Sequence, residues 1–435
     1  MTPGARLQAV SEVLDRIAAA DAPAERTLSA YLRARRYIGA KDRRALGDRV
    51  FAVLRARARL DWLWARASGA APDRAAEAAE AGETSGRARV LAWCAARAGQ
   101  GPAALDALCD GGRHVPAPLD PAERRAVTRL AEGAVPLATA PRWVRLEVPS
   151  WLLPAFDAAF GAESDAELGA LARPAAVDLA VNPLKAASRE AVQAELAMAG
   201  VATVPTPLSP RGLRLLDRQG VTGQAAYRAG RVELQDEGAQ LAAAAVGAGP
   251  GLAVCDFCAG AGGKTLALAG DLGGRGTLAA LDIDDARLAR ARPRVARAGA
   301  AGVTWHRLAP EADPWLAAHA GQFDRVLVDA PCSGSGTWRR QPDLRWRLTP
   351  RGLQDHAARQ DAVLARAAPL VRPGGRLVYV TCSLLPLENA RRIAAFRAAT
   401  PAFRLCPTDT DGLLTPARHG TDGFAITVLE RSGEP

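Results

Sequence analysis

The sequence has no run of about 18 or more apolar residues, so no membrane-crossing helix is expected. Its opening stretch, Met1 to Ile17, lacks the apolar core of a secretory signal. Cysteine is thin: seven residues in 435, an odd number scattered along a long chain. No disulfide framework is implied. There is no internal repeat and no long low-complexity tract. These absences point to a cytoplasmic protein in a reducing compartment, where thiols are free for chemistry.

What is present is ordinary in bulk: 49% hydrophobic and 23% charged residues, enough to bury a sizeable core. At roughly 100–200 residues per domain, two to three domains are expected. The formal net charge of +10 favours a polyanionic partner, a nucleic acid or a membrane surface. Arginine far outnumbers lysine and alanine is abundant, the pattern of GC-rich coding, so the arginine count carries less weight than its size suggests.

Residues 1–140 read as helical. Leu7, Val10, Leu14 and Ile17 share one helix face, as do Leu46, Val50, Val53 and Leu54. Between them lie Arg43, Arg44, Arg49, Arg55, Arg57 and Arg59, which suit a solvated helix surface and an RNA-facing patch equally. Gly111–Pro118 is a loop. Residues 145–240 form a small α+β unit, with short apolar runs at Val177–Val181 and Gly212–Leu216 around a helical Ser188–Ala199. From 241 to 435 strands and helices alternate. The expected strands are Leu252–Phe257, Thr277–Asp282, Val303–His306, Arg325–Asp329 and Arg376–Thr381, with Phe424–Leu429 as one more. That order predicts an α/β fold with a doubly wound, mostly parallel sheet.

Four features can carry chemistry. The first is Cys258-Ala259-Gly260-Ala261-Gly262-Gly263-Lys264-Thr265, between a strand and a helix. Its glycines let backbone approach a ligand at a helix N-terminus. A P-loop requires Gly where Cys258 stands, and a dinucleotide fingerprint requires Gly where Thr265 stands. A nucleoside-bearing cofactor such as S-adenosylmethionine remains. The second is Asp282, at the end of the next strand and placed to accept hydrogen bonds from ribose hydroxyls; Asp284 and Asp285 suit the start of the following helix. The third is Asp329-Ala330-Pro331-Cys332-Ser333-Gly334-Ser335-Gly336-Thr337, and the fourth is Thr381-Cys382-Ser383. Both sit at carboxyl ends of consecutive strands, where open α/β sheets place their ligand crevice. Neighbouring strands lie about 5 Å apart, so two thiols and a carboxylate converge. A lone cysteine is usually a small buried hydrophobe; two at consecutive strand ends are harder to dismiss. Cys255 and Cys258 form a C-x-x-C pair, but no second pair or nearby His completes a metal set, and no metal is expected.

The segments DFCAGAGGKT, DAPCSGSGTWRRQPD and YVTCSLLPLEN resemble the signature motifs of the RsmB/Sun/Nop family of RNA 5-methylcytosine methyltransferases. The resemblance spans roughly residues 150–430. The helical N-terminus is similar to the NusB-like RNA-binding domain of the bacterial ribosomal-RNA members. Gln235-Asp236-Glu237-Gly238 and Asp422-Gly423-Phe424 also match the family pattern. Two departures stand out. Gly260-Ala261 replaces a usual Ala-Pro. Leu308-Ala309-Pro310 stands where an Asp usually meets adenine, with Glu311 or Asp313 as substitutes.

The resemblance implies a Rossmann-like class I methyltransferase domain at 241–435, a NusB-like domain at 1–140 and an RNA-binding subdomain at 145–240. It implies S-adenosylmethionine held by Cys258 to Lys264, Asp282 and Asp329. It assigns attack on cytosine carbon 6 to Cys382 and product release to Cys332, once carbon 5 has lost its proton. Asp329 holds the ring edge, with Lys264 as its partner. The substrate it implies is small-subunit ribosomal RNA, transfer RNA being the alternative. Trp338, Arg339, Arg340 and Arg345, with Trp346 and Arg347, follow Cys332 and are expected to hold phosphates and stack on bases. Three rivals remain. A DNA cytosine methyltransferase would use Cys332 alone, with a downstream Glu-Asn-Val where this chain has Glu388-Asn389-Ala390. A non-catalytic RNA-binding factor would not need Cys332, Cys382, Asp329 and Lys264 intact. A nicotinamide oxidoreductase would need the full glycine fingerprint.

Overall fold

A computed structural model describes residues 1–217, 219–300, 302–408 and 412–433. The chain divides into two compact units. One is Met1–Pro174 together with Trp338–Leu348; the other is Ala175–Thr337 together with Thr349–Pro435. No described helix is long and apolar enough to cross a membrane.

The first unit is helical. Its helices include Pro3–Ala19, Ala40–Arg55, Arg57–Ala67, Gly86–Ala98 and Pro121–Ala131. The apolar faces read from the sequence pack inward: Val10, Leu14, Leu46, Val50, Leu60, Trp62, Val90 and Val127 are all buried in one core. Local signals set the ends. Thr2 accepts the Ala5 amide, and Asp120 with Glu123 makes a reciprocal capping box. Deep in the unit Asp61 accepts a two-pronged pair of bonds from Arg89 at 2.7 and 2.9 Å. Helices Leu153–Phe160 and Ser164–Leu171 also belong here.

The second unit opens with an antiparallel sheet of β1 (Asp178–Val181), β2 (Thr203–Pro205), β3 (Gly212–Leu215) and β4 (Val232–Leu234), ordered β2-β3-β1-β4, with helix Arg189–Met198. The larger sheet contains β5 (Ala253–Asp256), β6 (Thr277–Asp282), β7 (Val303–Arg307), β8 (Phe323–Asp329), β9 (Val371–Thr381), β10 (Phe403–Leu405), β11 (Gly412–Leu414) and β12 (Phe424–Arg431). Its order is β10-β12-β9-β8-β5-β6-β7, with β11 beside β12. Strands β5 to β9 pair in parallel, and β12 runs antiparallel to β9. Successive residues face opposite layers. Cys255, Val326, Val328, Leu377 and Tyr379 line one core; Val254, Leu327, Val378 and Val380 line the other.

The order turns about β5, which lies between β6 and β8. The crevice of such a sheet opens at the carboxyl ends of the strands around that point. Those ends carry Asp256, Asp282, Asp329 and Thr381. β6 occupies the predicted residues, whereas β9 begins at Val371, ahead of the expected Arg376, because Pro373-Gly374-Gly375 resembles a turn. The short β10 and β11 carry no periodic signal of their own.

Candidate active site

β8 ends at Asp329 and β9 at Thr381, and each runs into a turn that presents a cysteine. The Cys332 and Cys382 sulfurs lie 3.4 Å apart, and both side chains are partly exposed. Contact with Cys382, then burial, pushes the Cys332 thiol well above its ordinary range, the charges of Cys382 and Glu388 adding to it.

Two glycines make the turns possible. Gly336 donates to the Cys382 carbonyl at 2.9 Å, and Gly423 donates to the Gly336 carbonyl at 2.9 Å. A side-chain carbon on Gly336 would sit 2.2 Å from the Gly423 carbonyl oxygen, and one on Gly423 2.7 Å from the Gly336 Cα. The two backbones touch, so neither position admits a side chain. Asp236 reaches the same place, accepting the Asp422 amide at 3.0 Å and the Gly238 amide at 2.8 Å. The Gln-Asp-Glu-Gly and Asp-Gly-Phe segments are therefore one brace behind the cysteine turns.

Lys264, on the first turn of helix Gly263–Leu272, donates to Asp329 Oδ2 at 2.6 Å. Burial pulls the Lys264 ammonium down, but the charge and hydrogen bond of Asp329 outweigh it and the net shift is upward. Beside them Asp256 is fully buried, accepts the Thr265 hydroxyl at 2.6 Å, and has its other oxygen without a partner. Burial, with Asp329 and Asp282 nearby, raises its pKa to about 7.

The loop Cys258–Gly263 leaves β5 with Gly260 and Gly262 at positive φ, 54° and 79°. Asp282 holds it: Oδ2 accepts the Gly260 amide at 2.8 Å and Oδ1 the Asp284 amide at 2.9 Å. Each oxygen keeps a lone pair for a further donor. Next to it Ile283 is 62% exposed, an apolar side chain at a strand end with polar neighbours. A loop of glycines, a carboxylate and an exposed apolar side chain is the set that a nucleoside needs: amide donors, ribose acceptors and a surface for the base. Ile283 was not singled out in the sequence; its only signal is its place after Asp282.

Several expectations are corrected. Asp313 does not stand in for the missing acidic contact. Its carboxylate accepts the Ala309 amide at 2.8 Å and the Trp315 amide at 2.9 Å and meets His306 at 2.9 Å, all inside its own loop. Glu311 is exposed. Cys255, by contrast, is where its place within a strand puts it, buried in the sheet core with Phe257 and Val326. The segment expected to grip RNA is packed into the helical unit instead. Trp338 and Arg345 are buried. Arg345 donates to the carbonyls of Glu147, Leu171 and Trp338 at 2.6, 3.0 and 3.4 Å. Arg339 is buried too, its carbonyl accepting from Arg55, and Arg340 is half-buried. Arg347 bonds the carbonyls of Ile17 and Ala20. Trp346 lies under the Arg57 guanidinium. A guanidinium fork suits the free carbonyls at helix ends as well as it suits phosphate. The N-terminal arginines also find partners within the helical unit: Arg43 donates to the Ile38 carbonyl, Arg59 pairs with Glu147, Arg57 with Asp61, and Arg49 lies over Trp93.

Known proteins are similar to this chain in sequence and in fold. Residues 248–430 match the family described as 16S rRNA methyltransferase RsmB/F, and residues 148–222 match a ferredoxin-like domain of RsmF/B-like methyltransferases. The chain is 34% identical over 300 residues to a probable ribosomal RNA small subunit methyltransferase B of Synechocystis, covering 65% of this chain and 67% of that protein. It is 33% identical over 262 residues to the ribosomal RNA small subunit methyltransferase B of Yersinia pseudotuberculosis, spanning 60% of each. The crystal structure of PH0851 superposes on 99% of both chains with a TM-score of 0.76 at 26% identity.

Proposed function

The chain belongs to the RsmB/F family of 16S rRNA methyltransferases, and from that premise we propose that it methylates carbon 5 of a cytosine in small-subunit ribosomal RNA through a covalent cysteine–cytosine adduct. The observation that carries this reading is the pair of sulfurs 3.4 Å apart at the ends of β8 and β9, beside the Lys264–Asp329 ion pair.

The residues of the loop fit S-adenosylmethionine: Gly260 to Gly263 offer backbone, Asp282 two acceptors for ribose, and Ile283 an apolar face for adenine. When bound, that group supplies an electrophilic methyl on a sulfonium. Everything else falls to the protein. Carbon 5 of cytosine is a weak nucleophile. The Cys382 thiolate adds to carbon 6, forming a sulfur–carbon bond and making carbon 5 enamine-like. Asp329 accepts from the exocyclic amino group at the ring edge, and a proton taken from solvent onto the ring nitrogen as sulfur adds is given back when sulfur leaves, while Lys264 holds the carboxylate in place. After carbon 5 is alkylated its remaining proton must leave. Cys332 is the base in reach. Contact with the neighbouring Cys382 is the largest cause that holds its thiol protonated; once Cys382 is a thioether that cause disappears, and the thiol proton passes to solvent to leave the thiolate that acts as base. Taking the proton returns electrons to the carbon 5–carbon 6 bond and expels Cys382 as thiolate. The base must leave its stack to enter the crevice.

Bisulfite sequencing of total RNA with and without this protein tests the assignment. One cytosine in small-subunit ribosomal RNA should lose protection when the protein is absent. Loss of protection in a transfer RNA alone would move the substrate, and no change anywhere would refute the reading.

A further inference from the structure

Each cysteine is followed by a serine, and both serines end on one carboxylate. Glu388, in the turn Pro386–Glu388, is fully buried. Its Oε1 accepts the Ser333 amide at 2.8 Å and the Gln360 side-chain amide at 3.0 Å. Its Oε2 accepts the hydroxyls of Ser333 and Ser383, each at 2.5 Å. Ser335 adds a cross-link, meeting Ser383 at 3.0 Å and accepting the Leu384 amide at 2.9 Å. We infer that Glu388 is a positioning residue that holds the two cysteine turns at one spacing and keeps the shared proton of the sulfur pair on Cys332, leaving Cys382 as nucleophile.

Among the described residues, the donors to Glu388 are all neutral. Burying a carboxylate without a cation is costly, and a neutral amide would satisfy some of the same donors. The charge therefore has a consequence beyond anchoring. Two sulfurs 3.4 Å apart cannot both ionise without strong repulsion, so surrounding charge decides which one holds the proton. Glu388 makes two of its bonds to Ser333, next to Cys332, and one to Ser383, and its charge raises the Cys332 thiol; the Tyr379 hydroxyl donates to the Glu388 carbonyl at 2.8 Å. His356, from helix Pro350–Ala367, faces Glu388, and its burial favours the neutral imidazole, with Asp355 and Arg359 near it. Asp361 and Arg392 act on Tyr379 from further out. The carboxylate thus sits on the Cys332 side of the pair.

This inference rests on the mechanism proposed above, but its test does not require methyl transfer. The full-length protein is treated with substoichiometric iodoacetamide across pH 6.5–9 (~ the range in which thiols titrate), and the labelled peptides are quantified. The unsubstituted protein should label Cys382 before Cys332. Glu388→Gln, with circular dichroism unchanged, should reduce that preference at least tenfold and shift the pH profile of Cys332 labelling downward. Ser333→Ala with Ser383→Ala keeps the charge, so labelling order should persist while methylation slows. Equal preference in folded Glu388→Gln, or Cys332 labelling first in the unsubstituted protein, overturns the inference. If no RNA is methylated at all, the functional reading fails while the labelling result still stands or falls by itself.

Discussion

Lys264 Nζ lies 2.6 Å from Asp329 Oδ2, with the lysine side chain 11% and the aspartate 31% exposed. The helix that carries the lysine and the strand that carries the aspartate are 65 residues apart in sequence, so the pair ties the cofactor loop to the cysteine turn. Lys264→Met should leave Asp329 free to turn away from the base and weaken its hold on the ring proton. Single-turnover methylation should slow by ~100-fold, the scale of a lost proton-handling group, with the donor's KM nearly unchanged. An unchanged rate constant would remove Asp329 and Lys264 from the chemistry.

Asp282 braces the Gly260 loop and is free to accept from ribose. Hydrogen bonds to a charged group contribute about 1.5–3 kcal/mol. Asp282→Ala should therefore raise the KM for S-adenosylmethionine by roughly 10- to 100-fold while the rate at saturation falls far less. Ile283→Ser should raise the same KM by a smaller factor. Isothermal titration with the donor checks both, and unaltered affinity in both variants would place the nucleoside elsewhere.

Arg345 makes its contacts with helix-end carbonyls, so its loss belongs to stability. Arg345→Ala strands the carbonyls of Glu147, Leu171 and Trp338 and should cost about 3 kcal/mol or more, seen in denaturant unfolding. The salt dependence of RNA affinity should not move. A stable variant with a salt slope reduced by about 1 would restore the role expected from sequence.

Asp256 gives a pH signature. Its folded pKa of about 7 lies above the unfolded carboxylate value, so the folded state holds its proton more tightly. The associated stability is complete below the unfolded pKa and is lost as pH rises to about 7, an order of magnitude of roughly 4 kcal/mol. Asp256→Asn should flatten that decline between about pH 4 and 7, the window set by the two values. Parallel pH curves for the two proteins would show that Asp256 is already ionised.

What the sequence made legible was what local pattern encodes. β6 stands out because a run of apolar residues ends on Asp282. Cys332 and Cys382 stand out because Asp-Ala-Pro and Tyr-Val-Thr close two strands that the parallel order makes neighbours. What stayed hidden depends on distant partners. Glu388 matters because Ser333, 55 residues away, arrives beside Ser383; no spacing reveals that. Trp338 to Leu348 looked like a basic loop next to a catalytic cysteine, because an arginine aimed at helix-end carbonyls has the same sequence as one aimed at phosphates. Asp313 looked available until its loop closed around it. Nor does any local pattern show that the twin glycines Gly336 and Gly423 mark a contact between two backbones.

The central claim is the division of labour between two sulfurs, and one experiment separates them. Cys332→Ala, Cys382→Ala and the double variant are incubated with small-subunit ribosomal RNA and S-adenosylmethionine, then run on a denaturing gel. Cys332→Ala should accumulate a protein–RNA adduct that survives denaturation, and both variants lacking Cys382 should form none and methylate nothing. An adduct in Cys382→Ala, or full methylation by it, would contradict the account.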